Sequence, residues 1–193
     1  MEEKSITHED SLKIIESMIE TAKKKVTRLD SYYSLMWGYL VLIASLLNYY
    51  LLTAGYGQKA SYAWFLMFIG GLASIWISIR RNKERKVRTY FDKVLFYLWM
   101  GFIICIFIVV FNGKYISYQI TPLILLLYGI ALLVNGGIFN FKPQIIGAVV
   151  AWIGCFIAFR LEYKDQLLVE AAVVFISYII PGHLLYNMAQ KDV

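Results

Sequence analysis

The sequence offers little with which to do chemistry in water. It holds two histidines, two cysteines and three prolines among 193 residues. No HExxH, no GxSxG, no pair of intramembrane carboxylates and no glycine-rich phosphate loop occurs in it. Metalloprotease, serine-hydrolase and nucleotide-driven chemistries therefore have no residue constellation to rest on, and the chain reads as non-enzymatic. Cys105 and Cys155 form no CxxC and lie inside apolar stretches, where thiols act as small, soft packing groups. Nothing in the spacing calls for a metal or another cofactor. A cleavable signal segment is not expected either: the first thirty residues are highly charged, and the first apolar run is too long for an h-region.

Apolar length is what the chain has in abundance. Hydrophobic residues make up 60% of it and aromatics 17%, with a mean hydropathy of +0.60. These values lie outside soluble norms and predict a polytopic membrane protein, all-α. Six apolar segments are predicted to span, at about 32–52, 62–79, 94–111, 120–139, 143–159 and 167–186. Each approaches the roughly 20 residues that cross a hydrocarbon core. Membrane lipids are thus the first expected partner. The net charge of +6 does not point to nucleic acid, because the basic residues flank apolar spans instead of lining one face.

Their placement sets a direction. Seven Lys or Arg fall between Arg80 and Lys93, against Glu84 and Asp92, between the second and third spans. Dense positive charge in a short loop marks the cytoplasmic side. With that loop inside, both termini are inside, and 15 Lys/Arg fall on the cytoplasmic side against four outside: Lys59, Lys114, Arg160 and Lys164. Tyr and Trp cluster at both expected boundaries, where one end of each ring system stays wet.

Residues 1–30 are expected to form a separate cytoplasmic unit ahead of the bundle of residues 31–193. Thr7 and Asp10 fit a capping box. Leu12, Ile15, Ile19, Ala22, Val26 and Leu29 then recur at 3,4 spacing, one stripe along an amphipathic helix. Acids fill its first half and bases its second, which complements the helix dipole. Such a seam suits self-association, a dimer above all, or docking on lipid headgroups or a cytoplasmic protein partner. Small residues at helical spacing predict close packing on spans two (Gly70, Ser74, Ser78), three (Gly101, Cys105) and five (Gly147, Ala151, Ala158).

Two candidate polar features remain. Pro181-Gly182-His183 and Asn135-Gly136-Gly137 are expected to interrupt spans six and four at one depth. With Gln144 nearby, Asn135 and His183 make a candidate inner-leaflet vestibule. Glu170 is a candidate outer-leaflet charge, since an ionisable group inside a span is functional by default. The bland alternative is an interfacial acid within reach of Arg160 or Lys164.

The runs Ser31–Leu46, Leu123–Ile130 and Tyr178–Gly182, after a charged amphipathic helix, resemble small uncharacterised six-span bacterial inner-membrane proteins. The resemblance implies a cytoplasmic-membrane location beside a transcriptional regulator gene, and it carries over no catalytic or ligand residue. The function expected from the residues is regulatory or scaffolding, through the N-terminal helix. A small oligomeric transporter or channel, using the vestibule between spans four and six, is the alternative.

Overall fold

The computed structural model of the chain describes residues 8–84 and 90–191, with side chains defined for residues 31–80, 93–188 and 190. Every regular element among them is helical. The elements are α1 (His8–Thr53), α2 (Leu66–Glu84), α3 (Tyr90–Phe111), α4 (Ile120–Ile138), α5 (Lys142–Ala158), α6 (Tyr163–Val174) and α7 (Ile180–Lys191). A 3₁₀ stretch over Gly57–Phe65 leads into α2, and a π-helical turn over Phe175–Ile179 joins α6 to α7. Five stretches are long and apolar enough to cross a membrane: Ser31–Thr53, Gly57–Arg80, Lys93–Phe111, Ile120–Ile138 and Tyr163–Met188. The fifth expected span is the shorter apolar helix α5, of 17 residues.

The division expected at residue 30 falls inside α1, which runs 46 residues without a break. At 1.5 Å per residue that is about 69 Å, more than twice the thickness of a hydrocarbon core. The cause is visible in the sequence: neither Gly nor Pro occurs between His8 and Trp37, so nothing ends the ladder. Thr7 and the side chains of the 12–29 stripe lie outside the described residues. So do residues 85–89 of the basic loop.

Helix ends are set by backbone geometry. Gly55 takes φ +85° after α1; its N–H bonds the Leu52 carbonyl at 3.2 Å, and that of Tyr56 bonds the Leu51 carbonyl at 3.0 Å. Asn140 does the same after α4 at φ +52°, with N–H groups of Asn140 and Phe141 on the Gly137 and Gly136 carbonyls at 3.3 and 2.8 Å. Both are Schellman ends, which satisfy the last carbonyls of a helix. Asn135-Gly136-Gly137 therefore does not interrupt α4: it forms the last regular turns before this cap.

The predicted interruption of span six is also displaced. Pro181 lies inside α7, and the irregular turn precedes it. Proline supplies no N–H to the Ser177 carbonyl four residues back and crowds it. The chain responds by widening: the Ile180 N–H reaches the Phe175 carbonyl, five residues back. The Ser34 hydroxyl caps the Tyr178 carbonyl at 3.0 Å, and the Ser177 hydroxyl donates to the Gly147 carbonyl at 2.9 Å. A Cβ on Gly147 would stand 3.0 Å from the Ser177 carbonyl oxygen, so glycine is what lets α5 approach this wide turn.

The core lies where α1, α4, α5 and the α6–α7 rod meet, around Val41, Leu125, Tyr128, Leu132, Ala148, Val174 and Tyr178. Gly129 receives the Trp152 indole, whose Nε1 donates to the Leu126 carbonyl at 3.3 Å, and this closes the α4–α5 hairpin. α2 rests on α1 through Gly70 and through Ser74, whose hydroxyl accepts from Trp37 Nε1 at 3.1 Å. Ser78, the third residue of that strip, is exposed. Among the described residues α3 touches α4 alone. Its Gly101 is exposed with nothing nearby, whereas Cys105, the other residue of the strip expected to pack span three, is half-buried.

Candidate functional site

Polar side chains are expensive inside an apolar bundle unless each finds a partner. Their positions therefore mark where the fold holds something other than packing. Ten are buried among the described residues, and half of them fall into one group: Ser45, Asn48, Thr121, Gln166 and Glu170. The group sits at the end of the bundle where the connections after α1, α3 and α5 lie, here the polar end.

Local sequence explains the arrangement. Tyr163, Gln166 and Glu170 are spaced i, i+3, i+7, one face of α6. Ser45 and Asn48 are spaced i, i+3 on α1. Thr121 stands in the first turn of α4, preceded by Gln119 and by Ser117 and Tyr118, both with left-handed backbone (φ 53° and 59°). Left-handed geometry at non-glycine residues is uncommon and persists where the surroundings hold it. Here the held turn delivers Gln119 and Thr121 to the α6 face.

Glu170 is 1% exposed. Its Oε2 accepts from the Ser45 hydroxyl at 3.1 Å, and the Thr121 hydroxyl makes a second hydrogen bond to the carboxyl. One carboxyl thus joins α1, α4 and α6. One turn away, Gln166 Nε2 donates to Gln119 Oε1 at 2.9 Å and to the Leu161 carbonyl at 3.0 Å. Asn48, with its amide turned to satisfy both ends, donates to the Ala60 carbonyl at 3.2 Å. It accepts from Trp64 Nε1 at 2.8 Å and from the Tyr163 hydroxyl at 3.2 Å. All three connections at this end are drawn onto the same cluster of buried polar residues.

The two cations expected to reach Glu170 are engaged elsewhere. Arg160 donates to the Phe156 carbonyl at 3.0 Å, its guanidinium 3.8 Å above the Phe156 ring. The Lys164 ammonium stands 5.5 Å from the Tyr49 ring centroid. Glu170 is thus turned inward, to hydroxyls, rather than outward to Arg160 or Lys164.

At the opposite end the three vestibule residues part company. Asn135 and Gln144 are buried, 8% and 7% exposed, on either side of the α4–α5 turn. A Cβ on Gly136 would lie 3.2 Å from the Gln144 Cβ. His183 is exposed, and its Nε2 pairs with the Tyr39 hydroxyl at 2.9 Å. No contact joins α4 to α7 among the described residues, so Asn135 and His183 are not brought together.

Sequence reasoning found Glu170 and missed Ser45, Asn48, Thr121 and Gln166. The available signal was the polar stripe Tyr163, Gln166, Glu170, which repeats at helical spacing on a helix where, past Gln166, Glu170 is the one polar residue. Among the described residues no group of three or more His, Cys, Asp or Glu could hold a metal ion. The arrangement is suited to hydrogen bonding and charge storage: hydroxyls and amides surround one carboxyl. Comparison with protein-family models, with curated proteins and with solved structures found no match.

Proposed function

We propose that the chain is a six-span regulatory or scaffolding protein of a bacterial cytoplasmic membrane, non-enzymatic, with both termini in the cytoplasm. In this reading α5 is the remaining span: 17 residues is the short limit for crossing. The polar end is then extracytoplasmic, and the basic loop and the first thirty residues face the cytoplasm.

The observation that carries the reading is the continuity of α1. The helix that bears Ser45 and Asn48 also bears the 12–29 stripe, with no hinge between. A rotation or shift of α1 within the bundle is thereby passed rigidly to a surface suited to a second copy, a dimer being favoured, or to a cytoplasmic protein partner. The test is the doubly substituted Ile15→Asp, Ile19→Asp protein in lipid nanodiscs. Cysteine crosslinking between N-terminal helices should fall at least about tenfold, since the proposed contact would bury each isoleucine at a gain of roughly 1.5–3 kcal/mol. Unchanged crosslinking and unchanged partner capture contradict the reading.

A second reading, a small oligomeric transporter or channel, draws on the buried polar groups near both ends, Glu170 at one and Asn135 with Gln144 at the other. Solute flux into proteoliposomes that is lost in Glu170→Gln would favour it.

A further inference from the structure

Among the described residues the buried carboxyl of Glu170 has no cation beside it and the neighbouring amide oxygen has no donor, and these two deficits answer each other. A carboxylate removed from water needs a compensating charge. Arg160 and Lys164, the nearest basic residues in sequence, are held by Phe156 and Tyr49. One turn before Glu170, the Gln166 Oε1 is buried and is the one side-chain atom of its kind among the described residues without a hydrogen-bond partner. The two residues are four apart on one helix face, where side chains meet. A carboxylate has no hydrogen to give; a carboxylic acid has one.

The geometry points to a proton-binding site made by Glu170, Ser45, Thr121 and Gln166, loaded from solvent at the polar end. A proton from water adds to a carboxylate oxygen and forms one O–H bond. The new hydroxyl donates to the Gln166 Oε1, while the Ser45 hydroxyl continues to donate to Oε2. Charge is cancelled and the orphaned acceptor is satisfied in the same step. A metal ion suits the site less well. One carboxylate, two hydroxyls and one amide supply too few oxygens for the six to eight of a hard divalent cation, and Ser45 donates to Oε2 directly, with nothing between them.

The groups facing Glu170 from each packed element are few. α4 contributes Tyr128 and α6 contributes Tyr163, both within electrostatic range of the carboxyl. α1 offers the neutral Ser45 and Asn48, the 3₁₀ stretch offers Trp64, and α5 offers no charge between Pro143 and Ala158. The π-helical turn brings Tyr178 against Tyr128, ring centroids 5.2 Å apart. Loading and release of the proton alter the bonds that join α1 to α4 and α6. The long helix therefore gains a chemical input at the end opposite its cytoplasmic seam. Proton binding at Glu170 requires neither the N-terminal assembly nor transport activity.

Infrared difference spectroscopy on the full-length protein in lipid reads this directly. Between about pH 4 and pH 9, a range that spans buried carboxyls, acidification should produce a protonated-carboxyl C=O band that is deuterium-sensitive and absent in Glu170→Gln. Ser45→Ala and Thr121→Val should each shift the frequency or the midpoint of that band, and they keep the test decisive if Glu170→Gln does not fold. The proposal is overturned by a missing band, by a band that survives in Glu170→Gln, or by a band unmoved in both partner variants. It is also overturned if sodium or potassium at fixed pH displaces the band where choline does not, since an alkali cation would then be the occupant.

Discussion

The two ends of the bundle handle polar residues in opposite ways. At the polar end, Ser45, Thr121 and Glu170 meet although they lie on three helices and far apart in sequence, and Asn48 and Gln166 tie three connections to the same place. At the other end, Asn135 and Gln144 are buried beside one short turn, and His183 stays outside with Tyr39. Helix-breaking residues occur at both ends, Gly55, Gly57, Gly113 and Pro122 at the first and Gly136, Gly137, Pro143, Pro181 and Gly182 at the second. Breakers tell where the backbone needs help; they do not tell where side chains converge. In an apolar bundle the convergence is announced by polar residues repeating at helical spacing.

The largest effect expected is at the junction between the ends, where α5 passes the π-helical turn. A Cβ at Gly147 would meet Ser177 backbone atoms at 3.0 and 3.1 Å, which cannot swing aside as a side chain can. Gly147→Val should destabilise the bundle by about 3 kcal/mol, the upper part of the overpacking range. Unfolding in mixed micelles checks this; a loss below about 1 kcal/mol would mean that the turn is pliable.

Next come the partners of the polar network. Asn48→Leu removes three hydrogen bonds at a fully buried site, leaving the Ala60 carbonyl, Trp64 and Tyr163 without them. About 2–3 kcal/mol should be lost by the same assay, since a stranded buried group carries most of its desolvation penalty. Gln144→Leu, at a buried site beside the α4–α5 turn, should cost less than Asn48→Leu. Equal losses would erase the contrast between the two ends.

The smallest effect belongs to His183. It is exposed and makes one exposed hydrogen bond, to Tyr39, so His183→Ala should change stability by no more than about 0.5 kcal/mol. A loss above about 1.5 kcal/mol would place it in a buried site after all.

Much of the architecture was legible because hydropathy and length speak directly to it. The apolar stretches at 32–52, 94–111 and 120–139 match helical stretches within a few residues. The union of the N-terminal helix with the first span was also written in the sequence, as the lack of Gly and Pro before Gly38, but charge composition suggested a boundary there. Pro181 was legible as a disturbance; its direction was not, because the widened turn arises two to six residues earlier, around the carbonyl that the missing N–H leaves unserved. The Asn135-Gly136-Gly137 run looked like an interruption and is a helix end, since Asn140 supplies the left-handed residue of the cap. Glu170 stood out as a charge in a span. Its partners did not, because Ser45 and Thr121 are ordinary residues that acquire meaning through contacts 125 positions apart in the first case.

The central claim is that Glu170 and its hydroxyl partners act together to hold α1 against the rest of the bundle. A double-mutant cycle between Ser45→Ala and Glu170→Gln, read as unfolding free energy in lipid–detergent micelles, measures that coupling directly. The account predicts non-additivity of about 1 kcal/mol or more, within the range for residues sharing one hydrogen-bond network. Effects that add to within about 0.3 kcal/mol would contradict it, because the 3.1 Å contact between Ser45 and Glu170 would then hold nothing together.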